Sequence, residues 1–172
     1  MTAPAYQPIL AADIPTSPLY AADSKAGGGS SGGACTQRDP AEGGVRVIAG
    51  AFKSVKGPAT THTQVDLWDV SISQANGVPY EFDTVEGNNV VIFVRRGQVS
   101  VQGRELGPQD VAILETAGSK VMMEALTPDS SVLVLAGEPI GEPIAAQGPF
   151  VMNTRAELHQ AMSDYRSGNF GT

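Results

Sequence analysis

From Val45 onward, turn-forming residues interrupt the chain before any apolar run outlasts a short strand, and this punctuation limits the fold more than any other feature. Apolar runs near residues 45–49, 64–73, 80–82, 90–94, 98–102, 111–114, 121–124 and 132–136 read as strands. Asn76-Gly77, Asn88-Asn89, Arg96-Gly97, Gln102-Gly103 and Pro128-Asp129 read as the turns between them. In the longest run Val65 and Leu67 share one face, while Trp68, Val70 and Ile72 take the other phase. Such a change of phase marks a bulge. The run at 90–94 is apolar throughout, as in a strand covered on both faces, whereas Val99 and Val101 alternate with polar residues as in a half-exposed one. Eight short antiparallel strands with glycine turns predict an all-β fold, a double-sheet jelly roll or β-barrel.

One helix interrupts this pattern, at the C-terminus. Thr154 with Glu157 three positions later forms a capping box, Leu158, Ala161, Met162 and Tyr165 make an apolar stripe, and Gly168 supplies the stop. The helix is expected over 154–167. Ahead of the strands, residues 1–20 carry Tyr6, Ile9, Leu10 and Ile14 among prolines and read as an extended arm. Residues 21–44 contain a Gly/Ser tract at 25–34 with nothing to bury, which reads as a flexible linker. Residues 45–172 form the expected domain.

At 172 residues, 41% hydrophobic, the chain suits one domain with a substantial core. A net charge of −7 argues against direct nucleic-acid binding, which needs clustered Lys and Arg. Arg95-Arg96 is the only adjacent basic pair and reads as a solvated turn. Cys35 is the only cysteine, so no disulfide framework or cysteine metal cluster is expected. No apolar stretch approaches membrane-spanning length, and a cytoplasmic location follows as the expectation, or a nuclear one in a eukaryote.

Chemistry-bearing motifs are scarce. His62 and His159 are the only imidazoles; they read as a strand-entry residue and a solvated helix residue. Glu81, Asp83 and Glu86 cluster around a turn and read as solvated carboxylates rather than an acid–base pair or a hard-cation site. Neither a nucleophile elbow nor a glycine-rich phosphate loop is present.

Four stretches carry a resemblance: "VRVIAGAFKSVKGPATTHT", "VDLWDVSI", "LAGEPIGEPI" and "GPFVMNTRAELHQAMSDYRSGNFG". Together they resemble the C-terminal half of the pirin family, bicupins with two stacked jelly rolls, and "MTAPAYQPILAADIP" is similar to the crossover between the halves. The resemblance implies a cupin-like jelly roll beginning at that crossover. It also implies that the family's iron, held by histidines and a glutamate, belongs to the other, N-terminal cupin, in members that act as quercetin 2,3-dioxygenases or as transcriptional cofactors.

A metal-loaded cupin needs imidazoles and a carboxylate converging from two successive motifs. Placing the glycine that ends the first motif on Gly97 puts Val90 at the glutamate, residues 83–86 at the histidine pair and Ala112 at the last histidine. No catalytic residue, metal ligand or cofactor is therefore expected in this chain, which is not expected to be an enzyme by itself. The leading expectation is a non-catalytic structural or interaction module whose partner is a metal-bearing cupin chain or a second copy. A subunit of a pirin-type dioxygenase and an empty barrel binding a small ligand are the alternatives. Val91, Phe93, Val111, Ile113, Val132 and Val134 are bulky enough to fill the interior, which favours a packed core. Phe150, Val151, Met152, Tyr165 and Phe170, with Tyr6 and Ile9 from the arm, are the candidate interface residues, because part of this set can cap its own barrel and the rest needs a partner.

Overall fold

Valine and isoleucine recur at every second position of most strands, so each strand turns one apolar face inward, and the inward faces of two sheets meet as one core. The computed structural model describes residues 7–19, 43–73, 75 and 77–170. Tyr6, Cys35 and the Gly/Ser tract at 25–34 lie outside them.

The first sheet has six antiparallel strands in the order β1 (Thr16–Pro18), β2 (Gly44–Ala49), β5 (Val65–Ile72), β12 (Ser130–Gly137), β7 (Asn89–Arg96) and β10 (Val111–Ile113). The second has four: β6 (Tyr80–Asp83), β11 (Lys120–Ala125), β8 (Val99–Val101) and β9 (Arg104–Leu106). A small ribbon, β3 (Ala51–Phe52) and β4 (Val55–Lys56), follows β2. All eight strands expected from the sequence are present, in an all-β jelly roll of two sheets. Phe52, Trp68 and Phe82 stack edge to face, at 5.1 and 5.6 Å between centroids, and so tie the ribbon and both sheets to one core. The Trp68 indole N–H, at the centre of this stack, is buried without a hydrogen-bond partner.

Two bulges set which residues face inward. Val47 pairs with Trp68 and Ala49 with Leu67, so Ile48 is an extra residue opposite the place where β5 changes phase. The bulge expected there lies in the partner strand. Likewise Val94 pairs with Val132 and Arg96 with Ser131, which leaves Arg95 as the extra residue of β7. Arg95 and Arg96 are therefore the end of a strand, not a solvated turn: Arg95 bonds Asp69 and Ser131, and the Arg96 Nε donates to the Asp129 carbonyl at 2.9 Å.

The set expected to fill the interior needs correction. Val132 and Val134 are fully buried, but Val91 and Phe93 are half-buried on the outer face, and Val111 and Ile113 are 53% and 77% exposed. Val90, Ile92 and Val94 take the inward places in β7, and Ala112 and Leu114 pack against the core from β10 and the residue after it. A run apolar at every position carries no signal of which alternate set points in. The buried residues nonetheless form one cluster across both sheets.

Gly97 forms the corner at which the chain leaves the first sheet for the second. The hydroxyl of buried Ser130 bonds the Gln98 carbonyl at 3.1 Å and that of Thr127 at 2.7 Å, holding this corner against the turn before β12.

Both sheets belong to one compact unit, Ile9–Pro139, and a second unit contains Ile140–Thr172. The division falls inside the stretch 45–172 that the sequence reading treats as one domain, at a segment carrying Pro139, Gly141 and Pro143 where no strand ladder runs. In the second unit a hairpin, β13 (Ala145–Gln147) and β14 (Phe150–Met152), turns at Gly148 with φ +57° and packs on helix α1 (Arg155–Ser167). The capping box is formed: the Thr154 hydroxyl accepts from the Glu157 N–H at 3.2 Å and the Glu157 carboxylate accepts from the Thr154 N–H at 2.8 Å. Gly168 ends the helix in the left-handed conformation, φ +78°. Among the described residues no helix is long and apolar enough to cross a membrane.

Candidate functional site

The loops at one end of the jelly roll are pinned to each other. The Thr84 N–H donates to the Ser119 carbonyl at 2.9 Å and the Gly87 N–H to that of Thr116 at 2.8 Å, joining the β6–β7 loop to the β10–β11 loop. Beneath them a cavity of about 680 Å3 opens between the sheets. Its deeper wall is apolar, made by buried Val90, Val101 and Val121 with Leu106 and Leu114. Arg104, Glu115 and Lys120 stand at its mouth.

Three sequence positions judged equivalent to metal ligands line this one cavity: Thr84, from the 83–86 window, Val90 and Ala112. The donor chemistry gathered there does not fit a transition metal. A hydroxyl, two alkyl side chains and the nearby carboxamide of Asn88 offer neither imidazole nor carboxylate. Among the described residues no group of three or more His, Cys, Asp or Glu could hold a metal ion. His62 is exposed ahead of β5, and His159 is exposed beside a shallow groove on α1. Glu81 and Asp83 lie in β6 itself, and Glu81 bonds Lys120, which pairs with Asp83 in the β6–β11 ladder and so lies diagonal to Glu81. The Glu81 carboxylate, by hydrogen bond and charge, holds the Lys120 ammonium above its ordinary value of 10.5.

Asn88 was legible only as a turn residue. It is 6% exposed, and its carboxamide makes no hydrogen bond to any described residue. The Thr84 hydroxyl is likewise buried and unpartnered. Sequence holds no signal for this, because burial of a loop asparagine depends on where two distant loops meet.

A second surface lies on the outer face of the six-stranded sheet. The registers align Ile113, Val91, Leu135 and Leu67 in one cross-strand row and Val111, Phe93, Leu133 and Asp69 in the next. Seven apolar side chains thus adjoin, with Val111, Ile113 and Leu135 the most exposed at 53%, 77% and 37%. The second row ends in charge, where Asp69, 7% exposed, is clamped by Arg95 and by Arg46 at 3.5 Å.

The expected interface residues divide. Phe150, Tyr165 and Phe170 come together edge to face, with centroids 5.4 to 6.3 Å apart. Leu158 and Ala161 are buried, Met152 is half-buried, and Val151 and Tyr165 are 65% and 66% exposed. The helix stripe therefore has a partner in its own hairpin. Ile9 is half-buried in the larger unit, and Tyr6 lies outside the described residues.

Comparison with known proteins places this geometry in context. A family model described as the pirin C-terminal cupin domain matches residues 67–171. A Pseudomonas aeruginosa protein provisionally named a quercetin 2,3-dioxygenase is 34% identical over 170 residues, which cover 99% of this chain and 52% of that protein. Mouse pirin is 33% identical over 132 residues, 74% of this chain and 44% of pirin. A crystal structure of quercetin 2,3-dioxygenase from Acinetobacter baumannii superposes with a TM-score of 0.79 at 34% identity, covering 98% of this chain and 51% of the other. The chain spans about half the length of the curated relatives it matches.

Proposed function

The chain belongs to the pirin family and carries its C-terminal cupin domain, and on that premise we propose that it acts as a non-catalytic interaction module which docks on a metal-bearing cupin. The observation that carries the reading is the pair of apolar rows on the outer sheet face. A solvated antiparallel sheet face alternates to polar residues, whereas here Val111, Ile113 and Leu135 stand exposed beside Val91, Phe93, Leu133 and Leu67. Contiguous exposed apolar surface of this kind marks an interface. The partner is argued from the relatives: about half of each is unmatched, and the resemblance to a bicupin family implies a metal-bearing cupin there.

Asp69, Arg46 and Arg95 border the rows and give the surface a polar edge that fixes orientation. Val151, Tyr165 and Phe170 offer a further apolar contact on the smaller unit. Any quercetin 2,3-dioxygenase activity belongs, on this reading, to the metal-bearing half, and this chain contributes by covering it.

The test is sedimentation velocity of the chain mixed with the separately expressed N-terminal half of the Pseudomonas aeruginosa relative. A one-to-one complex is expected, weakened by Ile113→Asp while the free chain keeps its fold. A chain that stays monomeric alone and in the mixture overturns the reading; self-association abolished by the same substitution assigns the face to a second copy.

A further inference from the structure

A polar side chain buried without a partner raises folding cost, commonly by about 1–3 kcal/mol, so each such group in a folded protein calls for an explanation. One such group is the Thr84 hydroxyl, and on the same loop Asn88, 6% exposed, lines the same cavity between the sheets with a carboxamide that no described residue bonds. Neither serves a metal, since the donors around them do not form a ligand set.

The rest of the cavity limits what could satisfy them. Val90, Val101 and Val121 form an apolar wall that water solvates poorly. At about 680 Å3 the space is in the range of small-molecule pockets. Of the three charged residues at its mouth, Lys120 is engaged by Glu81, whereas Arg104 has no ion pair among the described residues. Glu115 is the one acid there, and it disfavours a second negative group on the ligand.

The geometry points to a small-molecule site in this cupin, selective for a monocarboxylate whose apolar body ends in a neutral hydroxyl or carbonyl. The neutral end lies on the Asn88 carboxamide and the Thr84 hydroxyl, which between them can donate and accept. The apolar body lies against the valine wall, and the carboxylate stays near solvent with the Arg104 guanidinium, so no charge is buried. Val111 and Ile113 border both this cavity and the outer sheet face, but the inference does not depend on docking there, because its polar contacts are Thr84, Asn88 and Arg104.

The probes are 4-hydroxybenzoate, benzoate and 4-hydroxybenzamide, added to the full chain and followed by amide chemical shifts. Saturable shifts at Thr84, Asn88 and Arg104 are expected with 4-hydroxybenzoate. Benzoate, which lacks the neutral head, and 4-hydroxybenzamide, which lacks the charge, should each bind about fivefold to tenfold more weakly. Asn88→Ala should erase the preference for the hydroxyl. Arg104→Gln, at an exposed position that carries no fold risk, should erase the preference for the carboxylate. Absence of saturable shifts up to about 10 mM, the range of very weak binding, would mean that the cavity holds water only and would overturn the proposal. Equal binding of the three probes, or shifts confined to α1, would overturn it too.

Discussion

Replacing Gly97 by alanine tests whether the corner between the sheets is as tight as its contacts imply. Gly97 has φ +76°, and a Cβ there would lie 2.8 Å from the Ser130 Cα and 2.9 Å from its Cβ. Gly103 is a matched control: its φ is +78°, and a Cβ would meet nothing within 4 Å. Left-handed backbone costs an alanine about 1–2 kcal/mol at either site. At Gly97 the strand start at Ser130 must also move, an overpacking cost of about 1–3 kcal/mol. That movement disturbs the Ser130 hydroxyl bonds to Gln98 and Thr127, worth about 1 kcal/mol together. The expected losses are therefore about 1–2 kcal/mol for Gly103→Ala and about 3–6 kcal/mol for Gly97→Ala. Urea unfolding read at an unchanged m-value measures both. Losses equal within about 0.5 kcal/mol, the usual error of such comparisons, would refute the steric reasoning and leave only the backbone term.

Elemental analysis of the purified chain after dialysis against chelator should find far less than one iron, nickel, copper or zinc per chain; near-stoichiometric iron would show that Thr84, Val90 and Ala112 are the wrong positions. Arg95→Leu should cost about 1–2 kcal/mol, less than the roughly 3–5 of a fully broken buried pair, because Arg46 still holds Asp69 and both guanidiniums are partly solvated. A double-mutant cycle with Asp69→Asn checks that figure, and a coupling near zero would contradict it. Lys120 binds its proton more tightly when folded, so the stability it contributes is complete below its ordinary value of 10.5 and is lost as pH rises through the raised one. Unfolding measured between about pH 10 and 12 should show that fall in the wild type and a shallower one in Lys120→Met; identical slopes would remove Glu81 as its cause.

Strand positions were legible where apolar and polar residues alternate, as at Val99 and Val101, and the helix was legible because its cap chemistry is local. β9 was missed: Arg104-Glu105-Leu106 has no apolar period, and its signal was the preceding Gln102-Gly103, both at positive φ in a tight hairpin. β1 was read only as part of an extended arm with prolines, yet it pairs with β2 at the edge of the sheet, where Pro18 removes no needed ladder bond. Motif spacing alone brought Thr84, Val90 and Ala112 together, and one cavity holds all three. The buried state of Asn88 and the two apolar rows were not, since both arise from strands and loops far apart in sequence. The rows were hidden further because Val111 and Ile113 look like core residues when only composition is weighed.

The extra residue at Arg95 has a consequence for how one strand chooses between two folds of itself. From Val90 to Val94 either alternate set, Val90-Ile92-Val94 or Val91-Phe93, would make an acceptable hydrophobic interior, so hydrophobicity leaves the strand two nearly degenerate orientations. What separates them is a single count. With Arg95 unpaired, the charged end of the strand meets Asp69 and Ser131 while Val94 stays inside; with the count one lower, that anchorage and the inward valines cannot hold together. The guanidinium therefore acts as a parity check on its strand, and it decides from the far end which aliphatic set becomes core and which becomes surface.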